Sequence, residues 1–273
     1  MFHEPAIPSP SLPPLGSGPA YQILALKLAE RTGSTSRYLY LTDPDQQTTI
    51  AYYFWVLKGP AETIIVDTGF TPELADARGI KTYLHTPAEQ LHRLEVDRFE
   101  VKHVILTHLH WDHLGGLHLF PNATFYVQRR ELMFYTGPLV RFQGLGSFVT
   151  PEDVAALVEW NFKGRVRLLE GAAEVRPGVF AIPVGGHTPG SQIVAVETSK
   201  GRAVLPGDAA PLSRNIREGI PSGIFVNLPE FYLGLETIRA TASSPDLIFP
   251  SHDPLLSTRY PQAGEGIVLL VGD

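Results

Sequence analysis

Short apolar runs, each closed by glycine, proline or a polar turn, make up most of this chain. Tyr21–Ala29, Ile50–Leu57 and Thr63–Asp67 predict strands, and Lys58-Gly59-Pro60-Ala61 is the turn into the third. Val101–Thr107 reads as a buried strand that gives way to a polar stretch ending in glycines. Val166–Leu169, Val179–Pro183, Ile193–Val196 and Ala203–Leu205 come next as further strands, and Leu247–Phe249 is one more apolar run. Helices are signalled between them. Pro87–Leu94 predicts a short one. Thr150-Pro151-Glu152-Asp153 offers an N-cap hydroxyl, a proline at the first helical position and an acid at the third, with Val154, Leu157 and Val158 as the apolar face. Pro229 opens another, in which Leu228, Tyr232, Leu235 and Ile238 fall on one side. Strands come in groups with helices between the groups, so the pattern predicts a mixed α and β protein.

Composition narrows this picture. Residues 1–19 carry Pro5, Pro8, Pro10, Pro13, Pro14 and Pro19 and predict an extended N-terminal arm, ahead of one domain over 20–273. A hydrophobic fraction of 44% suits a sizeable core. Charge is mildly acidic, 22 Lys+Arg against 28 Asp+Glu, with no basic run, which argues against nucleic acid as a partner. The absence of cysteine rules out disulfides and thiolate ligands. Met1-Phe2-His3-Glu4-Pro5 lacks the features of a signal peptide. Ala51–Leu57, the longest apolar run, is too short to span a bilayer, so no membrane partner and a cytoplasmic location are expected.

The chemistry is concentrated in His108-Leu109-His110-Trp111-Asp112-His113, which packs three imidazoles and a carboxylate into six residues. Imidazole with carboxylate suits zinc, iron, manganese or cobalt. Three later islands supply more of the same groups. His187 lies in Gly185-Gly186-His187-Thr188-Pro189-Gly190, Asp208 comes after the strand Ala203–Leu205, and His252 sits in Ser251-His252-Asp253 after Leu247–Phe249. Each falls at a strand end or in the turn beyond it. His3, His85, His92, His103 and His118 lack such company and read as structural or solvated. Asp253 either orients His252 or caps a turn.

In this order and at these separations, HxHxDH, GHTPG, GD and SHD resemble the metallo-β-lactamase superfamily of binuclear hydrolases, and Val66-Asp67-Thr68-Gly69 matches its early DTG turn. Within that superfamily the chain is most similar to the N-acyl-homoserine lactonases, on the short inter-motif distances, Tyr126-Val127-Gln128-Arg129 and the Ser-His-Asp ending. The similarity covers roughly residues 50 to 255. It implies an α+β fold, an αββα sandwich of two mixed sheets flanked by helices. It implies two divalent ions per chain, zinc first among zinc, iron, manganese and cobalt. His108, His110 and His187 would hold one, Asp112, His113 and His252 the other, and Asp208 would bridge them. A hydroxide shared by the ions would open a lactone, with Asp112 or Asp208 passing the proton to the departing alkoxide. Asp67 would accept a ligand imidazole N–H. Relatives of this kind suggest a homodimer acting on a small molecule.

One position departs from that pattern. Such lactonases usually carry a tyrosine three residues after the bridging aspartate, and here it is Pro211. Tyr232, Ser213 and Asn215 are the substitutes within reach in sequence. Phe70, Trp111, Tyr53 and Trp55 are candidates for an apolar pocket wall, and Arg214 and Arg217 for a substrate carboxylate. The alternative is hydrolysis of another ester, thioester or phosphoester on the same fold. A glyoxalase-II-like thioesterase is disfavoured because only residues 253–273 come after His252, and a β-lactamase is disfavoured by Asp208.

Overall fold

The computed structural model describes residues 20–272, so the proline-rich stretch 1–19 lies outside the described residues. In chain order the strands are β1 (Gln22–Ser34), β2 (Gln47–Lys58), β3 (Thr63–Val66), β4 (Thr82–Tyr83), β5 (His103–Ile105), β6 (Thr124–Gln128), β7 (Val166–Leu169), β8 (Ala173–Arg176), β9 (Val179–Pro183), β10 (Gln192–Thr198), β11 (Gly201–Leu205), β12 (Gln262–Gly264) and β13 (Ile267–Val271). The larger sheet runs β12-β13-β1-β2-β3-β5-β6-β7, with β4 paired to β1. It is mixed, because β3, β5, β6 and β7 are parallel. The four strands of the smaller sheet, β11-β10-β9-β8, pair antiparallel.

Alternation along β2 explains how the layers assemble. Tyr52, Phe54 and Val56 face one way, into a core shared with Leu91, Leu157 and Trp160 of the helices over that sheet. Ala51, Tyr53, Trp55 and Leu57 face the other way, against Val179, Ala181, Val194 and Val196 of the smaller sheet. That sheet's far face carries Phe180, Ile182 and Ile193 against Phe231, Leu235 and Ile238. Three apolar layers between four structural ones give the αββα sandwich.

Most predicted elements are present with moved ends. The helix expected at Pro87–Leu94 spans Pro87–Arg93, with a complete capping box between Thr86 and Glu89. The helix after Thr150 spans Pro151–Phe162, but the Thr150 hydroxyl makes no capping bond, and Trp160 takes a buried place beside Val154 and Leu157. The helix at Pro229 spans Leu228–Thr241, capped by Asn227; its buried side is Phe231, Gly234, Leu235 and Ile238, so Tyr232 points outward. Val101–Thr107 contributes only His103–Ile105 to the sheet. The ladder ends there because the Thr107 N–H turns to the Asp67 carboxylate, at 2.7 Å.

Two arrangements bring chemically active side chains to one edge. The parallel strands β3, β5 and β6 deliver their carboxyl ends there, so Asp67, His108 and Gln128 emerge on the same side. In the smaller sheet, Val204 of β11 pairs in parallel with Ile248, and the Phe249 N–H donates to the Val204 carbonyl at 3.0 Å, so Asp208 and His252 leave in the same direction. β1 also holds a bulge. Lys27 pairs with Tyr53 and Ala29 with Tyr52, leaving Leu28 without a partner on β2, and Leu28 and Ala29 both enter the same core.

Trp55, 1% exposed, fills the inter-sheet layer. Trp55→Ala is expected to cost about 3–5 kcal/mol by leaving a cavity. The check is the midpoint of denaturant unfolding, and a loss below about 1 kcal/mol would show that the two sheets do not depend on this contact.

Candidate metal centre

His110 ends the extended stretch after β5 and is the N-cap of a one-turn helix, Trp111–Leu114, which carries Asp112 and His113 inward. His187 comes from the β9–β10 turn, Asp208 from the turn after β11, and His252 from the segment after Ile248. The sequence-predicted ligand residues converge as two buried groups, His108, His110, His187 and Asp208 beside Asp112, His113 and His252. In each group the ligand atoms lie within 4.8 Å of one another.

The imidazoles are held with one nitrogen outward and the other inward. Nδ1 of His187 donates to the Ile224 carbonyl at 2.8 Å, and Nδ1 of His252 to the Ala51 carbonyl at 2.9 Å. Nδ1 of His113 lies 2.7 Å from Asp67 Oδ2. The Thr107 hydroxyl donates to the same oxygen at 2.8 Å, which leaves it free to accept from His108 Nδ1 at 3.1 Å. Tying Nδ1 fixes the tautomer, so Nε2 of these four rings presents a lone pair to the interior. His110 is turned the other way, with its Nδ1 3.0 Å from His187 Nε2. The Nε2 atoms of His108 and His113 are buried without a hydrogen-bond partner.

Asp208 faces both groups. Its Oδ1 is 2.9 Å from His252 Nε2 and 3.2 Å from His113 Nε2, while Oδ2 is 3.4 Å from His187 Nε2. Ser251 fixes Oδ1 with a 2.7 Å hydrogen bond. Burial, reinforced by neighbouring imidazoles, holds His108 and His110 well below the usual histidine range. Burial lowers His187 too, with Asp208 opposing. For His113 and His252, burial is outweighed by surrounding carboxylates: Asp112, Asp67 and Asp208 raise the first, and Asp208 leads in raising the second. The carboxylates thus make the His113 and His252 positions favourable for positive charge. Inward lone pairs, orphaned Nε2 atoms and a carboxylate facing both groups fit divalent cations.

Asp67 works from an uncommon backbone conformation, φ +58°, at the end of β3. The next residue, Thr68, seats the helix Trp111–Leu114: its N–H and its hydroxyl both donate to the His113 carbonyl, at 2.7 and 2.9 Å. Gly116 packs so closely beneath that a Cβ there would lie 2.2 Å from the Thr68 carbonyl oxygen.

Glu131 was not legible from sequence. It is fully buried in the helix Arg129–Tyr135, and its carboxylate joins the two histidine loops. Oε1 accepts the Leu109 N–H at 3.0 Å, while Oε2 accepts the Thr188 hydroxyl and the Gly190 N–H, both at 2.8 Å. Gly190 has no room for a side chain, since a Cβ would lie 2.3 Å from the Glu131 nitrogen.

The cleft over the two groups is lined by Arg31, Arg37, Tyr38, Tyr52, Trp111 and Phe148, with Ile50, Pro211 and Ile224 among the remaining wall. Of the pocket residues expected from sequence, Trp111 lines it. Phe70 does not: it is fully buried behind, edge-on to Tyr52 and Trp111 at 5.3 and 4.9 Å. Tyr53 and Trp55 face the inter-sheet core, because the alternation of β2 gives the cleft Tyr52 instead. Arg214 and Arg217 lie away from the cleft, held by Glu218 at 2.9 Å each, with Arg214 also reaching Asp43. Tyr232 is exposed, the Ser213 backbone N–H is taken by Asp253, and Asn215 is buried with its amide on the Tyr38 and Ile220 carbonyls. None of the three lines the cleft. Asp253 caps turns, through the Ser213 and Leu255 N–H groups. His103 and His118 contact Tyr126 and Asp153, away from both groups.

The metallo-β-lactamase superfamily model matches residues 49–252, the span that holds both buried groups of imidazoles and carboxylates. The chain belongs to that superfamily. Its curated relatives include the N-acyl homoserine lactonase AiiA of Bacillus thuringiensis subsp. kurstaki, 27% identical over 228 residues, covering 77% of this chain and 84% of the relative. The N-acyl homoserine lactonase AttM of Agrobacterium fabrum is 27% identical over 232 residues, covering 78% and 85%. Among solved structures, a quorum-quenching N-acyl homoserine lactone lactonase superposes with a TM-score of 0.74 over 89% of this chain and 96% of its own, at 20% identity, and shares the fold.

Glu131→Ala removes the acceptor of two buried backbone N–H groups and should lower stability by roughly 1–3 kcal/mol. Burial raises the Glu131 carboxyl from the usual 4.5 to about 7, against the pull of the Leu109, Thr188 and Gly190 donors. The folded protein therefore binds this proton more tightly than the unfolded chain. The stabilising linkage is complete below about pH 4.5 and is lost as pH rises through about 7. Unfolding free energies of both proteins across that window should converge as pH rises; a constant difference would contradict the assignment.

Proposed function

We propose that this chain is a binuclear metal-dependent hydrolase that opens lactones. The observation that carries the reading is the pair of buried groups joined by Asp208, with imidazole lone pairs directed inward. His108, His110 and His187 would hold one ion and Asp112, His113 and His252 the other, with Asp208 facing both groups. Two divalent ions there, zinc foremost among zinc, iron, manganese and cobalt, would supply Lewis acidity for an ester carbonyl and a water activated at neutral pH. Membership of a hydrolase superfamily and two curated lactonase relatives at 27% identity support the choice of substrate class.

The protein's own groups do the rest. Tyr52, Trp111 and Phe148 wall the cleft and exclude water from one side of a small ring. Asp67 keeps His113 in one tautomer, and Thr107 does the same for His108. Asp112 lines the cleft, with Oδ2 3.5 Å from the Nε2 atoms of both His113 and His252. It is placed to carry a proton from the attacking water to the alkoxide oxygen released when the ring C–O bond breaks. Asp208, enclosed and fixed by Ser251, keeps the two groups in register.

Elemental analysis should give about two ions per chain, and chelation should abolish acid release. In a pH-indicator panel of γ-lactones, aryl esters and phosphate diesters, γ-lactones should turn over fastest; a metal-loaded enzyme silent on every lactone would refute the proposal. Asp67→Asn keeps a side chain that tolerates positive φ but removes the charge facing His113. Metal retention against a chelator should weaken by about 10–100-fold, and unchanged retention would deny Asp67 its positioning role.

A further inference from the structure

The mouth of the cleft carries two guanidinium groups that the hydrolytic reading leaves without a task. Arg31 pairs across the sheet with Ile50, and Ala29 with Tyr52, so Arg31 shares the face of two residues that line the cleft. Arg37 belongs to the turn Thr35–Arg37 just beyond β1. Its guanidinium lies 5.9 Å from the Phe148 ring centroid, and Phe148 is stacked at 4.9 Å on His110. Tyr38 lines the same cleft, buried, with its carbonyl gripped by Asn215 at 2.9 Å. Burial raises the Tyr38 hydroxyl above the usual tyrosine range, with Arg37 and Arg31 pulling down and Asp112 and Asp208 pushing up, so it stays a neutral donor.

Several arginines elsewhere on this molecule are neutralised: Arg129 pairs with Glu170, Arg176 with Glu62, Arg214 with Glu218 and Arg259 with Asp246. Arg31 and Arg37 form no ion pair among the described residues. The centre below does not need them for charge balance either. Asp67, Asp112 and Asp208, together with one hydroxide, would offset the four positive charges that two divalent ions bring. The two exposed guanidiniums are therefore surplus positive charge at the mouth, and a guanidinium is a planar fork suited to oxyanions.

We propose that the lactone taken by this cleft bears a carboxylate, received by Arg31 and Arg37 with the Tyr38 hydroxyl beside them, while the ring lies against Trp111 and Tyr52 over the two buried groups. The inference rests on the lactonase reading and specifies its substrate. Aromatic side chains narrow the cleft around the arginines, so a compact anion fits better than a long neutral acyl chain. In place of a hydroxyl, Pro211 gives the wall a featureless surface, so orientation comes from the opposite side, through charge.

The test compares 5-oxotetrahydrofuran-2-carboxylate with its carboxamide and with γ-valerolactone, using the metal-loaded enzyme. The carboxylate should have a kcat/KM higher than the carboxamide by about tenfold or more, as expected for a charge-assisted grip, and rising salt should erode the advantage. In the Arg31→Gln, Arg37→Gln double variant the ratio should fall to near one, chiefly through KM, with Arg31→Lys, Arg37→Lys in between. Binding of the ring-opened dicarboxylate to metal-free protein, measured by calorimetry, should weaken in the same order. Equal kcat/KM for carboxylate and carboxamide, or a ratio that survives the double variant, overturns this inference and leaves the lactonase reading standing. If no lactone is opened by enzyme carrying both ions, both fall together.

Discussion

Burial of ionisable groups is the constraint on which the rest of the structure depends. Five imidazoles and two carboxylates are withdrawn from water at one edge of the sandwich, with Asp67 and Glu131 buried behind them. Such groups are costly to desolvate unless every lone pair and every N–H finds a partner. The surroundings meet that demand almost completely. Backbone carbonyls of Ile224 and Ala51 take two outward ring nitrogens, Asp67 and Thr107 take two more, and Glu131 absorbs the donors of two loops. What remains unmet points inward, at His108 and His113. The deficit is local, directional and of the sign that a cation supplies.

The fold's part is to bring distant segments to that edge. Parallel pairing of β3, β5 and β6 is the simplest device, because parallel strands end on the same side. The antiparallel sheet does the same by a different route, running Ile248 alongside β11. Neither sheet alone holds a complete set. The β3–β5 half supplies Asp67 and the HxHxDH loop, and the smaller sheet with its extension supplies His187, Asp208 and His252.

Much of this was legible in the sequence. The metal-seeking residues stood out because their spacing is dense and their types are chemically narrow, and the layered fold came from the resemblance they carried. Periodicity located most elements but not their ends. Thr107 leaves its strand for Asp67, a contact between residues forty positions apart that no local pattern encodes. The cleft wall was harder to read. Tyr53 and Trp55 are as aromatic as Tyr52, and only the pleat decides which of them faces it. Arg214 and Arg217 were attractive by proximity to Asp208, yet the helix Ser213–Glu218 turns them to Glu218. Glu131, an acid directly after two arginines in a short helix, became meaningful only once its three donors were brought to it from two loops.

The bulge in β1 has a bearing on how such a cleft can change over evolutionary time. Because Leu28 is an extra residue, every side chain beyond it is out of phase with an uninterrupted strand. Were β1 paired without the bulge, Leu28 would meet Tyr52 and Glu30 would meet Ile50, where Arg31 now stands. A cation at the mouth would give way to an anion with no amino acid replaced. The charge at this position of the entrance is therefore encoded by strand register. A one-residue slip at this edge would leave the ligands untouched and cancel the paired positive charge of the opening, since Glu30 would then face Arg37.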